Sequence, residues 1–307
     1  MIKLYQPYMG EDEKSSLPPG VIPWDAGSNT DNSTREYELF KQIYQANSGS
    51  SEPWGLVSRK FTHKSLLSVN DFAHFAEQKL SEGYDCVFIN PMMGIEALYL
   101  NVWQQGVHCG HAGLEKIIDF LEKSLAIPFN TPMDKNTFAF CNYFIAKPEF
   151  WSAYFSFVDQ ALDLLDQEAV NHTEAGAAYT GTGSYHRDVN ITMKPFIIER
   201  LFSTFIQNSQ FKIASFSYSK NFYECKFGVK FGEFLFQLSA LKNTGLQLQQ
   251  ENLLAAYDQI RFFIYSNPTY MASLSLLDDP PDFFLSKEYA ELMSQDFKVW
   301  AIWIGYS

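Results

Sequence analysis

The chain has 307 residues, a formal net charge of −12 and 46% apolar residues, of which 28 are Phe and 17 are Tyr. This composition excludes disorder as the overall description, and the net charge without clustered Lys and Arg argues against nucleic acid or an anionic bilayer as a partner. The sequence shows neither an apolar run as long as a membrane span nor a signal-peptide pattern, so we expect a cytoplasmic protein without a membrane span.

Strand and helix patterns alternate along roughly the first 200 residues. We predict helices at 33–46, 69–81, 91–102 and up to 125, and further helices that begin at Pro148 and Pro195. The strands are predicted at 3–8, 54–61, 84–90 and 138–146. This alternation predicts an α/β layered fold with a largely parallel central sheet, in which ligands bind beyond the carboxyl ends of the strands.

Two segments depart from this alternation. Residues 171–190 are polar and contain three glycines, and they are predicted to form a mobile loop or lid. From Phe211 onward the pattern indicates short aromatic strands, then helices at 246–266 and 286–297. We therefore predict a first domain at 1–210 and a C-terminal α+β appendage at 211–307.

Glu199 and Arg200 are the first candidate functional residues. Glu199 lies at the margin of the apolar face of the helix that begins at Pro195, whereas charged residues of such helices usually lie on the solvent-exposed face. It could act as a general base toward a hydroxyl, with Arg200 holding a phosphate or orienting the carboxylate. The alternative is a salt bridge that ties this helix to the sheet.

Anion-binding candidates come from the few cations of this acidic chain. Arg59 and Lys60 end a predicted strand, and Arg35 lies in the first turn of a predicted helix; the alternative is that they are solvated surface cations. Asn90 and Met92 stand at a strand end where metal-dependent sugar transferases place two aspartates. We therefore expect no cofactor and no tightly bound metal; the alternative is a divalent Mg²⁺ or Mn²⁺ ion, which no Asp-x-Asp motif supports.

A second metal hypothesis concerns the histidine pair His108 and His111. Two histidines at this spacing in a loop can contribute to a metal site, but the sequence places no Cys or acidic companion beside them. The pair is therefore a weak metal motif.

Several phrases, in this order and spacing over residues 1–206, resemble a group of bacterial capsule and lipopolysaccharide glycosyltransferases with a GT-A-like core for nucleotide-diphospho-sugars. The phrases are VIP at 21–23, WGLVSRKF at 54–61, Tyr84-Asp85, His111, NYFI at 142–145 and FIIERL at 196–201. Val57-Ser58 replaces a His-Tyr pair of that group, and the two cations that follow it are kept. Residues after Phe211 resemble nothing that we can name.

The resemblance implies transfer of a sugar from a nucleotide-diphosphate donor to a cell-surface glycan, either an oligosaccharide or a lipid-linked acceptor. It implies that the donor contacts are Tyr5, Gln6, Tyr8, Arg35, Arg59 and Asn90. Glu199 would deprotonate the acceptor hydroxyl, and Arg200 would orient Glu199. Acceptor contacts are expected from His111, Asn142, Tyr143 and Tyr185, with Trp103 as a further exposed aromatic. The alternative is a non-catalytic glycan-binding or scaffold protein of an envelope polysaccharide assembly system.

Overall fold

The structure is a computed structural model, and it describes residues 2–27, 34–183 and 191–267. The chain divides into two compact units. The first contains the described residues up to Pro91 and Leu100–Phe216, and the second contains Met92–Tyr99 and the described residues from Ser217 on. The boundary predicted from the sequence lies at 210/211, whereas the structure places the strand Ile213–Ser215 in the sheet of the first unit.

The described residues of the first unit form a six-stranded, mostly parallel sheet with the order β2-β1-β3-β5-β4-β6. The strands are β1 Lys3–Tyr8, β2 Ile22–Asp25, β3 Trp54–Leu56, β4 Cys86–Ile89, β5 Tyr143–Ala146 and β6 Ile213–Ser215. β1 pairs in parallel with β2 and β3, and β4 pairs in parallel with β6, while β5 runs antiparallel to both of its neighbours. The predicted α/β fold with a largely parallel sheet is confirmed at this level.

Helices connect the strands of the first unit. They are α1 Glu11–Ser15, α2 Glu36–Ala46, α3 Phe61–Ser65, α4 Val69–Ser81, α6 Val102–His108, α7 Leu114–Leu125, α8 Pro148–Val170, α9 Glu174–Thr180 and α10 Lys194–Asn208. Pro148 begins α8 at a position where the missing N–H costs nothing, because the first helical N–H groups have no partner within the helix.

The three central strands β3, β4 and β5 are buried along their whole length, as expected for strands covered by helices on both faces. Gly55 in β3 is required by close approach, since a Cβ at this position would lie 2.2 Å from the Phe144 carbonyl oxygen. Aromatic rings fill the core beside it: Trp54 stacks on Trp151 at 3.9 Å, and Phe144 stacks on Phe202 at 4.2 Å between ring centroids. The core thus fixes β3, β5, α8 and α10 against one another.

The described part of the second unit is helical. It consists of α5 Met93–Leu98, α11 Lys220–Phe227, α12 Val229–Leu248 and α13 Glu251–Tyr265. The prediction of short strands after residue 215 is therefore wrong for the described residues: the aromatic residues at 222–236 lie on helices. The helix predicted at 286–297 lies outside the described residues.

Three further sequence predictions need correction. The strand predicted at 138–146 begins only at Tyr143, and the strand predicted at 54–61 ends at Leu56. The predicted loop 171–190 contains the helix α9, and its residues 184–190 lie outside the described chain. Among the helices that the structure describes, none has both the length and the apolar character needed to cross a bilayer.

Candidate functional site

The candidate site lies at the carboxyl ends of β1, β3 and β4, beside the start of the antiparallel strand β5. The chain leaves β1 to form β2 on one side and returns to form β3 on the other side. Between β1 and β3 the strand order therefore reverses, and in open α/β sheets ligands bind in the crevice outside such a reversal.

Gln6 is the innermost polar residue at this reversal, with 3% of its surface exposed. Its Nε2 donates a hydrogen bond of 2.8 Å to the carbonyl oxygen of Ser58, just beyond β3. This contact fixes the orientation of the amide, because the opposite orientation would bring two acceptors together. Gln6 Oε1 is buried and has no hydrogen-bond partner among the described residues.

Ser58 also joins this position to β5. Its hydroxyl forms a short hydrogen bond with the phenol of Tyr143, whose ring packs edge-on against Phe61 at 5.1 Å. Burial raises the pKa of Tyr143 well above its usual value, so the phenol remains protonated at neutral pH. Tyr143 is 3% exposed, so the prediction that it offers an exposed ring to a sugar is wrong.

The turn that precedes β5 carries two further polar groups. Cys141 and Asn142 both have positive φ angles, 66° and 49°, which non-glycine residues rarely adopt. The backbone N–H of Cys141 donates to Glu199 Oε1 at 2.8 Å. Asn142 Oδ1 is buried and has no hydrogen-bond partner among the described residues. The turn therefore brings a fixed carboxylate and a second unpaired acceptor to the same sheet edge.

Helix α10 is held in place beside this turn. The hydroxyl of Ser203 accepts from the N–H of Ala139 at 2.9 Å and donates to the carbonyl of Ala139 at 3.1 Å. Ser203 lies four residues after Glu199, one turn along the same helix. These two hydrogen bonds fix the register between the helix and the turn, and so the position of Glu199.

Asn90 follows β4 directly and is 7% exposed. Ile89 pairs with Tyr143 in the antiparallel β4–β5 ladder, so the next residues outward, Asn90 and Asn142, continue that register at the strand ends. The structure thus brings together most residues that the sequence predicted at strand ends. We call this group the strand-end site: Gln6, Ser58, Arg59, Asn90, Asn142, Tyr143 and Glu199.

Arg59 is the cation of the strand-end site. Its guanidinium Nη1 contacts Glu13 Oε1 on α1, and the two side chains are 46% and 32% exposed. The other oxygen of that carboxylate, Oε2, accepts from the backbone N–H of Met9 at 2.8 Å. The sequence predicts no role for Glu13 or Ser58, since a polar residue on a short helix or in a loop carries no signal of a partner distant in sequence.

Arg200 has a structural role that differs from the predicted one. It is 2% exposed, and its guanidinium donates to the carbonyls of Val102 and Phe196 and to Gln105 Oε1, at 3.0, 2.9 and 2.6 Å. These hydrogen bonds tie α10 to α6, whereas Glu199 is held by the Cys141 N–H. The prediction that Arg200 orients Glu199 or binds phosphate is therefore corrected.

His111 lies on the same buried side as Arg200. It is 6% exposed, and its ring lies 4.6 Å from that of Phe196. Burial, and secondarily the charge of Arg200, lower its pKa to about 4, so it is neutral at pH 7. The neighbouring guanidinium disfavours a second cation, and the described residues contain no group of three or more potential metal ligands. His111 packs in the interior rather than presenting itself to an acceptor.

Three further residues predicted to contact a ligand, Tyr5, Tyr8 and Trp103, are not part of the strand-end site. Tyr5 is 7% exposed, and its hydroxyl bonds Asn47 in the core, which argues against stacking of its ring on a nucleobase; a backbone contact at Tyr5 stays a prediction. Trp103 is fully buried with its Nε1 on Thr204 Oγ1, and it is not an exposed aromatic. Tyr8 ends β1, with the ammonium of Lys14 lying 5.4 Å from its ring centroid.

Arg35 and Tyr185 are the last two predicted contacts. Arg35 is the N-cap of α2 with φ 50°, so the helix begins at Glu36 rather than at the predicted capping box. Ser33, which would have been the cap of that box, lies outside the described residues, as does Tyr185. The predicted contact of Arg35 with a diphosphate stays a prediction.

Comparison of the chain with protein-family models, with curated proteins and with solved structures finds no match. The resemblance to capsule and lipopolysaccharide glycosyltransferases therefore depends on the sequence phrases given above.

Proposed function

We propose that the protein is a glycosyltransferase that moves a sugar from a nucleotide-diphosphate donor to a cell-surface glycan, with the reaction at the strand-end site. The proposal is supported first by the two buried acceptor oxygens at this edge, Gln6 Oε1 and Asn142 Oδ1, which have no partner among the described residues. Buried polar atoms in folded proteins are nearly always paired. These two lie at strand ends, Gln6 at the strand-order reversal and Asn142 just before β5, and it is this position that supports ligand contacts.

The chemistry of these groups fits a nucleotide sugar. Unpaired acceptors accept from N–H and O–H groups, which the base, the ribose and the sugar of such a donor all carry. Arg59 presents a planar guanidinium for the phosphate oxygens. Because two asparagines, Asn90 and Asn142, stand at the ends of β4 and β5, we assign neutralisation of the diphosphate to the arginine rather than to a tightly bound metal.

Glu199 is the residue that we assign as general base. Its Oε1 accepts from the N–H of Cys141 at 2.8 Å, in a turn where Cys141 and Asn142 both have positive φ angles. In the proposed reaction the carboxylate takes the proton of the acceptor hydroxyl as that oxygen attacks the anomeric carbon. The nucleoside diphosphate leaves toward Arg59. A positioned base of this kind contributes about 10²–10⁴-fold in rate.

A thermal-shift screen against UDP-, dTDP- and GDP-linked sugars, with and without Mn²⁺, tests the proposal. A donor at 100 times its Kd stabilises the folded protein by about 2.7 kcal/mol, so we expect one conjugate to raise the Tm clearly. A scaffold protein would respond to none of them, and that result would contradict the proposal.

A matched pair of substitutions assigns the response to the strand-end site. Gln6 and Gln207 each donate through Nε2 to a backbone carbonyl, Ser58 or Pro132, and each leaves a buried Oε1 without a partner among the described residues. Gln6→Met is expected to abolish the ligand-induced rise in Tm, because it removes the acceptor at the site. Gln207→Met removes an equivalent amide on α10 and is expected to keep the rise; equal losses in both variants would refute the assignment.

A further inference from the structure

Glu13 stands out because its carboxylate joins two groups that are suited to bind an external anion. Oε2 accepts from the backbone N–H of Met9, and Oε1 contacts the guanidinium of Arg59. Met9 follows β1 and Arg59 follows β3, so both donors lie at the strand-order reversal described above.

A backbone N–H and a guanidinium that converge on one carboxylate form an anion site, here filled by the protein's own side chain. The same donors match the oxygens of a phosphoryl group, which accept charge-assisted hydrogen bonds from arginine and from backbone N–H groups. The Arg59–Glu13 pair is partly exposed, at 46% and 32% for the two side chains. Ion pairs in such positions are weak, so a ligand with more negative charge can displace this carboxylate.

We propose that the carboxylate of Glu13 occupies a phosphoryl subsite and must leave Arg59 and the Met9 N–H before a diphosphate binds. The inference rests on the proposed function and deepens it: Glu13 is an internal competitor that sets the affinity for the diphosphate part of the donor. Glu13 also lies in the first turn of α1 and reaches back to the chain before the helix, as helix-capping glutamates do. Capping alone would affect the stability of α1 and would leave anion affinity unchanged.

Isothermal titration of the full chain with inorganic pyrophosphate separates the two roles. Glu13→Gln keeps an acceptor for the Met9 N–H and removes the charge, so we expect pyrophosphate to bind roughly fivefold more tightly than in the wild type. Glu11→Gln is the matched control, since Glu11 lies on the same helix, is 84% exposed and pairs with Lys14. It changes the net charge equally and is expected to alter the affinity less than twofold.

Two further measurements complete the test. Arg59→Ala, alone or combined with Glu13→Gln, is expected to abolish pyrophosphate binding. In the ¹⁵N-labelled wild type, the amide signal of Met9 is expected to shift on titration with pyrophosphate, because the ligand replaces Glu13 at this N–H. Equal affinities of Glu13→Gln and Glu11→Gln, or an unchanged Met9 signal at saturation, would overturn the inference.

The outcome is separable from that of the transferase proposal. If pyrophosphate binds as described and no nucleotide sugar stabilises the protein, the transferase proposal fails alone. If a nucleotide sugar binds at the strand-end site and Glu13→Gln leaves its affinity unchanged, the competitor role of Glu13 fails alone.

Discussion

Glu199 is a carboxylate whose orientation is set by one backbone N–H, that of Cys141. Glu199→Gln keeps an oxygen for this hydrogen bond and removes the proton acceptor. We therefore predict that turnover falls by about 10²-fold or more while the affinity for the nucleotide sugar stays within about twofold. Two quantities test this prediction: kcat, measured from product formation, and the Kd for the nucleotide sugar, measured by calorimetry.

Glu174→Gln serves as the control for this substitution, because Glu174 pairs with Lys116 in an exposed position on α9. It is expected to retain wild-type turnover. Turnover at the wild-type rate in Glu199→Gln would remove this residue from the mechanism.

His111 gives the molecule a pH-dependent stability. Its pKa falls from 6.5 to about 4 on folding, so between these values the unfolded chain binds the proton and the folded chain does not. The free energy of unfolding is therefore unaffected by His111 well above pH 6.5, and it decreases as the pH falls from 6.5 toward 4 because the unfolded chain takes up the proton first. We predict that this group alone removes about 2–3 kcal/mol of the free energy of unfolding across that range.

Urea unfolding at several pH values tests this contribution. His111→Gln is expected to show a smaller decrease in stability between pH 6.5 and pH 4.5 than the wild type. His63→Gln, which changes an exposed histidine on α3, is expected to follow the wild-type curve. A decrease in His111→Gln as large as that of the wild type would contradict the prediction.

Among the elements, the turn before β5 shows where sequence patterns fail. Residues 138–146 are apolar and aromatic and therefore predict one long strand. In the structure Cys141 and Asn142 adopt positive φ angles, and the N–H of Cys141 bonds a side chain from α10, 58 residues away. Such a turn depends on tertiary contacts, so local pattern cannot reveal it. Candidate site residues could be predicted where their type is unusual for their position, as with Glu199 beside an apolar face.

In the second unit, α5 and α12 are joined by a buried ion pair. Lys242 Nζ lies 2.7 Å from Glu96 Oε1, and the two side chains are 0% and 4% exposed. Ser239 donates to Glu96 Oε2 at 2.6 Å, and Lys242 also donates to the carbonyl of Tyr99 at 3.1 Å. Every charged atom of the pair thus has a partner, as the burial of two charges requires.

Lys242→Met removes one partner and leaves the carboxylate of Glu96 buried without a cation. We predict a loss of about 3–5 kcal/mol in the free energy of unfolding of this unit, measured by urea titration. The double variant Glu96→Gln/Lys242→Met is expected to regain a large part of it, because no buried charge remains. Lys230→Met, an exposed lysine of the same helix, is the control; a double variant no more stable than Lys242→Met would argue against the role of the pair.

At the scale of the whole chain, the alternation of strand and helix patterns predicted the α/β class of the first unit and the bounds of some of its elements. The bounds of β1, Lys3–Tyr8, and of α4, Val69–Ser81, agree with the structure, and α4 begins directly after Ser68, whose side chain caps it. The aromatic sequence after residue 215 predicts strands, because Phe and Tyr favour strands in isolation, whereas in the structure the aromatic residues at 222–236 lie on helices. The pairing of Gln6 with Ser58 and of Arg59 with Glu13 joins residues 46 or more apart, so it required the fold.

The most direct test of the central claim is a crystal structure of the protein with the nucleotide sugar that stabilises it in the thermal-shift screen. The account predicts that the donor lies across the carboxyl ends of β1 and β3, with an N–H or O–H group on Gln6 Oε1 and its phosphate oxygens on Arg59. A donor bound elsewhere on the molecule, in contact with neither Gln6 nor Arg59, would contradict the account.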